Sequence, residues 1–295
     1  MLNGLTFQIS RLLAVAFFTL LERKILSYIQ TRKGPNKVVI LGVLQPLTDA
    51  VKLLIKEQII PVKRNKVVFY IAPGLSLALI LLRWLCVPII DYILISQLSF
   101  IFFLFFTGLN VYSLIIAGWS SNSVYATLGI IRGLAQAISY EVCYAFILIL
   151  PILMLQCLSF FRDKPIWVVL ISPFILLLWI ISCLAETNRA PFDFAEGESE
   201  LVSGFNIEYG SGLFALLFLS EYGNILLLRV LTSFLFLPFA RVSFFFCRMV
   251  GLIVSILFLW ARATLPRFRY DLLIVFCWLI ILPSILAICI FRVWI

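Results

Sequence analysis

The sequence predicts an all-α polytopic membrane protein forming a single integral domain, with eight transmembrane helices and an amphipathic interfacial helix in the first inner loop. Three observations carry that expectation. Of 295 residues, 63% are hydrophobic and only 13% charged, against about 45–50% and about 25% in a soluble domain. Such a chain lacks the polar groups to cover its own surface. Eight apolar runs reach the roughly 20 residues that a bilayer-crossing helix needs. Lysine and arginine are spread unevenly between alternate loops.

The runs fall at about 2–29, 68–90, 97–117, 129–158, 166–185, 212–232, 243–263 and 272–294. They are too long for soluble strands and lack the period-two alternation of a membrane barrel. Backbone groups in lipid must bond within their own segment, so the runs are helices. Pro88, Pro151 and Pro173 lie within or at the ends of runs and are expected to kink or terminate them. Between the first two runs, residues 42–58 read as the amphipathic helix. Leu44, Leu47, Val51, Leu54 and Ile55 fall on one face, and Gln45, Asp49, Lys52 and Lys56 on the other. Too short to span, this helix is expected at the interface, either as a generic surface helix or bordering an opening for a lipid-like molecule. Asp49 and Lys52 are spaced to pair with each other.

An even number of spans puts both termini on one side. The loops at 30–67, 118–128, 186–211 and 264–271 share the other side and hold eleven Lys and Arg, against three in the opposite loops. The positive-inside rule orients the first set inward. The remaining nine, Arg11 and Arg83 among them, lie in spans or at their ends, where most are placed to snorkel to headgroups. No Arg-rich presequence or cleavage site precedes the first run, so the chain is expected to insert as made. No linker, low-complexity tract or internal repeat divides it.

Composition excludes several functions. The formal charge is +9, but the inner loops also hold nine acids and net only +2; the charge reports topology, and nucleic acid is not an expected partner. Histidine is absent, which removes histidine-ligated haem, histidine zinc sites, Ser-His-Asp triads and histidine bases. The closest two of seven cysteines are twelve residues apart, so no metal or Fe–S centre is expected in this chain alone. Gly210–Ala215 matches GxGxxA, but it opens an apolar run and follows no strand, so dinucleotide binding is not expected.

The carboxylates are less ordinary. Glu186, Asp193, Glu196, Glu198, Glu200 and Glu208 put six of the fourteen acids into the loop at 186–211. Inner loops are usually basic. Clustered acids repel, and burial favours their protonated forms, which suits a site that stores and passes protons. A solvated acidic loop that docks a basic partner is the alternative, with Arg189 placed to neutralise Glu186 three residues away. Glu141 lies twelve residues into the fourth run, roughly 18 Å along a helix, with no cation one turn away. Glu221 is similarly placed in the sixth run. A charge at mid-membrane costs about 2.5–3.5 kcal/mol on insertion scales. Both glutamates should therefore face the bundle interior or water, either as neutral hydrogen-bonded acids or as a proton relay.

Several segments, in order, resemble one family: Glu22-Arg23-Lys24; Gln30–Lys37; Gly42–Lys52 (GVLQPLTDAVK); Gly118–Ser123 (GWSSNS); Ile138–Val142 (ISYEV); Ala185–Asp193 (AETNRAPFD); Glu196–Val202 (EGESELV); Gly204–Tyr209 (GFNIEY); and Arg262–Asp271 (RATLPRFRYD). They resemble chain 1 of NADH:ubiquinone oxidoreductase, the mitochondrially encoded membrane subunit of respiratory complex I. The resemblance covers nearly the whole chain, and residues 185–209 are its most specific part. Members often carry a Lys after the Trp of the last helix, where Leu279 follows Trp278 here.

The resemblance implies a multi-pass subunit of the mitochondrial inner membrane, with both termini on the intermembrane-space side. It implies a place where the membrane arm meets the peripheral arm, walling the ubiquinone access chamber. Ubiquinone is then the substrate. NADH, FMN and the Fe–S clusters belong to partner subunits, and this chain alone binds no cofactor and holds no complete redox site. The implied partners are the quinone-site peripheral subunits, antiporter-like membrane subunits and phospholipid. By resemblance, Arg23, Asp49, Ala50 and Lys52 match the chamber entrance. Glu141, Glu186, Glu196 and Glu221 match a carboxylate chain leading into the membrane arm. Arg189, Asp193, Glu198, Glu200, Glu208, Arg267 and Arg269 match the matrix-face loops. A stand-alone proton-coupled transporter, a docking scaffold and the related subunit of a membrane-bound hydrogenase are the competing expectations.

Overall fold

The computed structural model describes residues 2–38, 40–58, 61, 64–87, 98–155, 173–195, 197, 204–236 and 244–294. In chain order the helices are α1 (Leu2–Ile29), α2 (Gln45–Ile55), α3 (Lys66–Cys86), α4 (Ser99–Ser121), α5 (Val124–Leu155), α6 (Pro173–Glu186), α7 (Ser211–Phe236) and α8 (Phe244–Thr264). The last helical stretch runs from α9 (Tyr270–Phe276) through a π-helical turn (Cys277–Ile281) into α10 (Leu282–Trp294). No strand occurs among the described residues. Among the described residues, five segments are long and apolar enough to cross a membrane: Lys66–Cys86, Ser99–Ser121, Val124–Leu153, Ser211–Phe236 and Tyr270–Ile290. Pro173–Glu186 and Met249–Thr264 are apolar but shorter.

Local chemistry sets the boundaries. The helix α2 is shorter than the expected residues 42–58. Leu41 and Gly42 have positive φ, and Pro46 sits in the first turn, the one place where its missing N–H costs nothing. The helix α3 stops at Cys86 because Val87, which precedes Pro88, is extended, as the residue before a proline prefers. Pro88 itself lies outside the described residues. Pro151 does not end α5, which continues to Leu155, and Pro173 opens α6. In the last stretch Pro283 has no N–H for the carbonyl of Leu279, and the preceding turn widens to the π form.

The helix α3 packs against α4 and α7; α5 packs against α4, α6 and the last helix; α1 lies against α7 and α8. The main core gathers Phe18, Trp84, Phe103, Tyr144, Trp179, Leu227 and Cys277, with Tyr144 and Trp179 stacked at 5.2 Å. Outward positions such as Phe105, Ile131, Ile253 and Leu279 are exposed and apolar, the pattern of a lipid-facing surface.

The described part of the acidic loop is packed into the protein, unlike the solvated segment of the alternative expectation. Thr187, Arg189, Phe192, Asp193, Phe194, Ala195, Phe205, Asn206 and Tyr209 are all buried. At one end Glu186 meets Arg83, near the close of α3. At the other end Tyr209 donates to the Ala117 carbonyl at 2.9 Å, close to Ser120, whose carbonyl accepts from Asn65 at the start of α3. Glu186 and Tyr209, at the two ends of the segment, therefore lie near opposite ends of α3. Irregular backbone that is buried must find its polar partners within the protein or in bound water, and the described part of the loop is packed accordingly. Gly129 and Gly133 of α5 let it approach: a Cβ at either would stand 3.0 Å from Ala195. The Gln136 amide donates to the carbonyls of Ala185 and Phe192 at 2.8 and 2.9 Å.

Candidate functional site

The loop and four helices enclose a polar cavity. Its wall includes Ser76 of α3, Asn110 and Ser113 of α4, Glu186, Thr187 and Asn188 where α6 gives way to the loop, and Ser220, Glu221 and Asn224 of α7. The space open to the centres of water molecules is ≈ 40 Å³. One water needs roughly 10–15 Å³ on that measure, so about three fit. Two carboxylates thus face one hydratable space inside a bundle of apolar helices.

Each has a cationic neighbour. Arg83 of α3 reaches Glu186 Oε1 through Nη2 at 3.0 Å and donates through Nη1 to Asn224 Oδ1 at 3.1 Å. Arg189 of the loop lies 3.7 Å from Glu221 Oε2, with its guanidinium 4.6 Å from the centre of the Tyr222 ring. Two sequence expectations change here. Arg189 pairs with Glu221 rather than Glu186, because the left-handed turn at Asn188 ends the helical register that i, i+3 pairing needs. Arg83 does not snorkel: it is fully buried and turned into the bundle.

Glu141 stands beside this pair. It is half-buried on α5 and within Coulomb range of both Glu186 and Arg83. Its carboxyl occupies the room left by Gly108 of α4, where a Cβ would stand 2.6 Å from Glu141 Oε1. Glu141 makes no ion pair among the described residues. Three of the four expected relay residues, Glu141, Glu186 and Glu221, are therefore neighbours. Glu196, like Glu198 and Glu200 of the expected matrix face, lies outside the described residues.

The other expected positions form separate groups. Asp193 pairs with Arg267 at 3.2 Å and accepts from the Gly197 N–H at 3.3 Å. Arg269 pairs with its neighbour Asp271 at the exposed surface, and Glu208 is half-buried. At the entrance positions, Asp49 pairs with Arg23 of α1 at 2.5 Å and accepts from Gln45 at 2.9 Å. That replaces the expected Asp49–Lys52 pair: Arg23 approaches α2 from α1, so a tertiary partner wins over the local one. Ala50 and Lys52 are exposed.

Sequence reasoning missed Arg83, Asn224, Gly108 and Gln136. It also missed Glu22, buried on α1 and paired with Arg262 of α8. The available signal was the charge of Arg83 and Glu22 inside apolar runs. Tyr209, outside the helices, stacks on Phe69 at 4.2 Å, and burial pushes its phenol up to about 12, partly opposed by a hydrogen bond with Ser120.

Fold and site together define a class: a multi-pass α-helical membrane protein whose ionisable residues gather around a polar space inside the bundle. Within that class the chain belongs to the NADH dehydrogenase family, whose model matches residues 3–293. It is 50% identical to NADH-ubiquinone oxidoreductase chain 1 of Anopheles gambiae over 96% of this chain and 91% of the relative. To the chain 1 proteins of Heterololigo bleekeri and Didelphis virginiana it is 49% and 44% identical, over 99% of this chain and 96% and 95% of theirs.

Proposed function

We infer that this chain is a core membrane subunit of a proton-translocating NADH:ubiquinone oxidoreductase. It walls the access chamber for ubiquinone and couples quinone reduction to proton movement through its interior carboxylates. One observation carries the coupling: Glu186 and Glu221 share a hydratable cavity, with Glu141 in electrostatic contact with Glu186. Reduction of a quinone to a quinol consumes two electrons and two protons per molecule. Proton uptake, or the negative charge that precedes it, alters the protonation of nearby carboxylates. Charges inside a bundle of apolar helices are weakly screened, and in this reading a change at Glu186 is felt at Glu141 and passed along the bundle toward antiporter-like partners.

In this reading all eight apolar runs span the mitochondrial inner membrane, both termini face the intermembrane space, and α2 lies at the matrix-side interface. The exposed surface of α2, tied to α1 by Arg23–Asp49, borders the quinone entrance. Glu196, Glu198, Glu200 and Glu208 extend the carboxylate series toward the peripheral arm. NADH, FMN and Fe–S clusters reside in partner subunits, and phospholipid covers the apolar outer surface.

Native sizing in mild detergent, combined with photoreactive ubiquinone, tests this directly. The expected result is migration within a large complex and labelling of this chain near α1 and α2. Migration as a lone 33.7 kDa chain without quinone labelling would count for a stand-alone transporter instead.

A further inference from the structure

Arg83 is seventeen residues along α3 from Lys66, roughly 25 Å at about 1.5 Å per residue. An arginine three residues from a helix end reaches headgroups if it faces lipid; this one is fully buried. Its charge is permanent. It does not line the cavity, yet its two terminal nitrogens hold two residues that do, Glu186 and Asn224. The groups around it come from four helices. From α4 the Phe103 ring lies 5.3 Å from the guanidinium. Glu141 and Tyr144 face it from α5, Glu186 from α6 and the neutral Asn224 from α7, with Cys86 beside it on α3 itself. Stability alone explains such a residue poorly, because a buried ion pair is often no more stabilising than apolar side chains of similar volume.

We propose that Arg83 is a positioning residue of the proton path. Its forked guanidinium fixes the Glu186 carboxylate at the cavity wall, and its positive charge acts on the carboxylates of that path. The inference rests on the reading of Glu141, Glu186 and Glu221 as proton carriers. A lysine keeps the charge but not the planar fork, so it holds Glu186 or Asn224 and not both in the present geometry. A leucine removes charge and fork together.

The test uses the assembled complex carrying Arg83→Lys, Arg83→Leu or Glu186→Gln. The readouts are the ubiquinone reductase rate across pH, protons moved per electron, and NADH oxidation by a hydrophilic artificial acceptor. Arg83→Leu should displace the pH profile of the coupled rate toward alkaline pH by about one unit or more, because a neighbouring charge alters a carboxylate's proton affinity by about 1–3 units. Arg83→Lys should leave the profile in place and lower the coupled rate several-fold through misplacement of Glu186. The artificial-acceptor rate should not change in either. An assembled Arg83→Leu complex with the wild-type rate and profile overturns the proposal. Should Arg83→Leu fail to assemble, Arg83→Lys decides alone, and a wild-type rate there overturns it. A wild-type Glu186→Gln complex would instead sink the relay reading, while a slow Glu186→Gln beside a wild-type Arg83→Leu sinks only the role of Arg83.

Discussion

Replacing Gly108 by alanine puts a methyl carbon 2.6 Å from Glu141 Oε1 and 3.7 Å from Glu141 Cδ, and that carbon meets no other residue of α5 within 4 Å. The carboxyl must retreat by about 0.4 Å to reach 3.0 Å, the closest approach that real Cβ atoms make. A glutamate end can do so by leaving its rotamer, which costs about 0.5–1.5 kcal/mol. Alanine returns about 0.8–1 kcal/mol of helix propensity relative to glycine, so the complex should still assemble. The function should suffer more than the fold: with Glu141 displaced from Glu186, the coupled ubiquinone reductase rate should fall roughly two- to tenfold, the factor that such an energy represents at 1.36 kcal/mol per decade. The assay compares ubiquinone reduction with artificial-acceptor reduction in Gly108→Ala, Glu141→Gln and the double variant. If alanine acts through Glu141, it adds nothing once Glu141 is already glutamine. Full additivity in that cycle would refute the reasoning.

Gln136→Leu removes two hydrogen bonds to buried carbonyls. Both carbonyls keep a second donor, the N–H of Asn188 for Ala185 and that of Phe194 for Phe192, so neither is orphaned. The expected loss is about 1–3 kcal/mol at about 0.5–1.5 per bond, read as faster heat inactivation of ubiquinone reduction than of acceptor reduction. Tyr209 should stay neutral until about pH 12. Its folded-state value is raised, so its contribution to stability is intact below pH 10 and fades as pH climbs from there toward 12. The ultraviolet phenolate signal of Tyr209, found by difference from Tyr209→Phe, checks this. Asp49→Asn should change stability by less than about 1 kcal/mol, since its pair with Arg23 is substantially exposed. If α2 borders the quinone entrance, the variant's KM for quinone rises more than its kcat falls.

Apolar length and period made the helices legible, because a membrane chain must satisfy its backbone within each run. They also placed Glu141 and Glu221 inside the bundle. Neighbours were harder to read. Arg83 and Glu186 are 103 residues apart and Glu22 and Arg262 are 240 apart, and periodicity gives the face of a helix without naming what covers it. The local rule of pairing at i, i+3 failed twice, at Asp49 and at Glu186, each time because an arginine from another element was better placed. The acidic composition of the loop is compatible with both a buried segment and a solvated one. The loop's packing follows from contacts that sequence spacing does not encode, such as Gln136 holding Ala185 and Phe192, and Gly129 and Gly133 clearing space for Ala195.

The claim at the centre of this account is that interior carboxylates carry protons in step with quinone reduction. It is tested most directly by counting protons moved per electron in sealed vesicles containing the assembled complex with Glu141→Gln or Glu186→Gln. The account predicts a lower coupled rate and a lower proton count in both variants, with artificial-acceptor activity intact. Wild-type rate and wild-type stoichiometry in both assembled variants would contradict it.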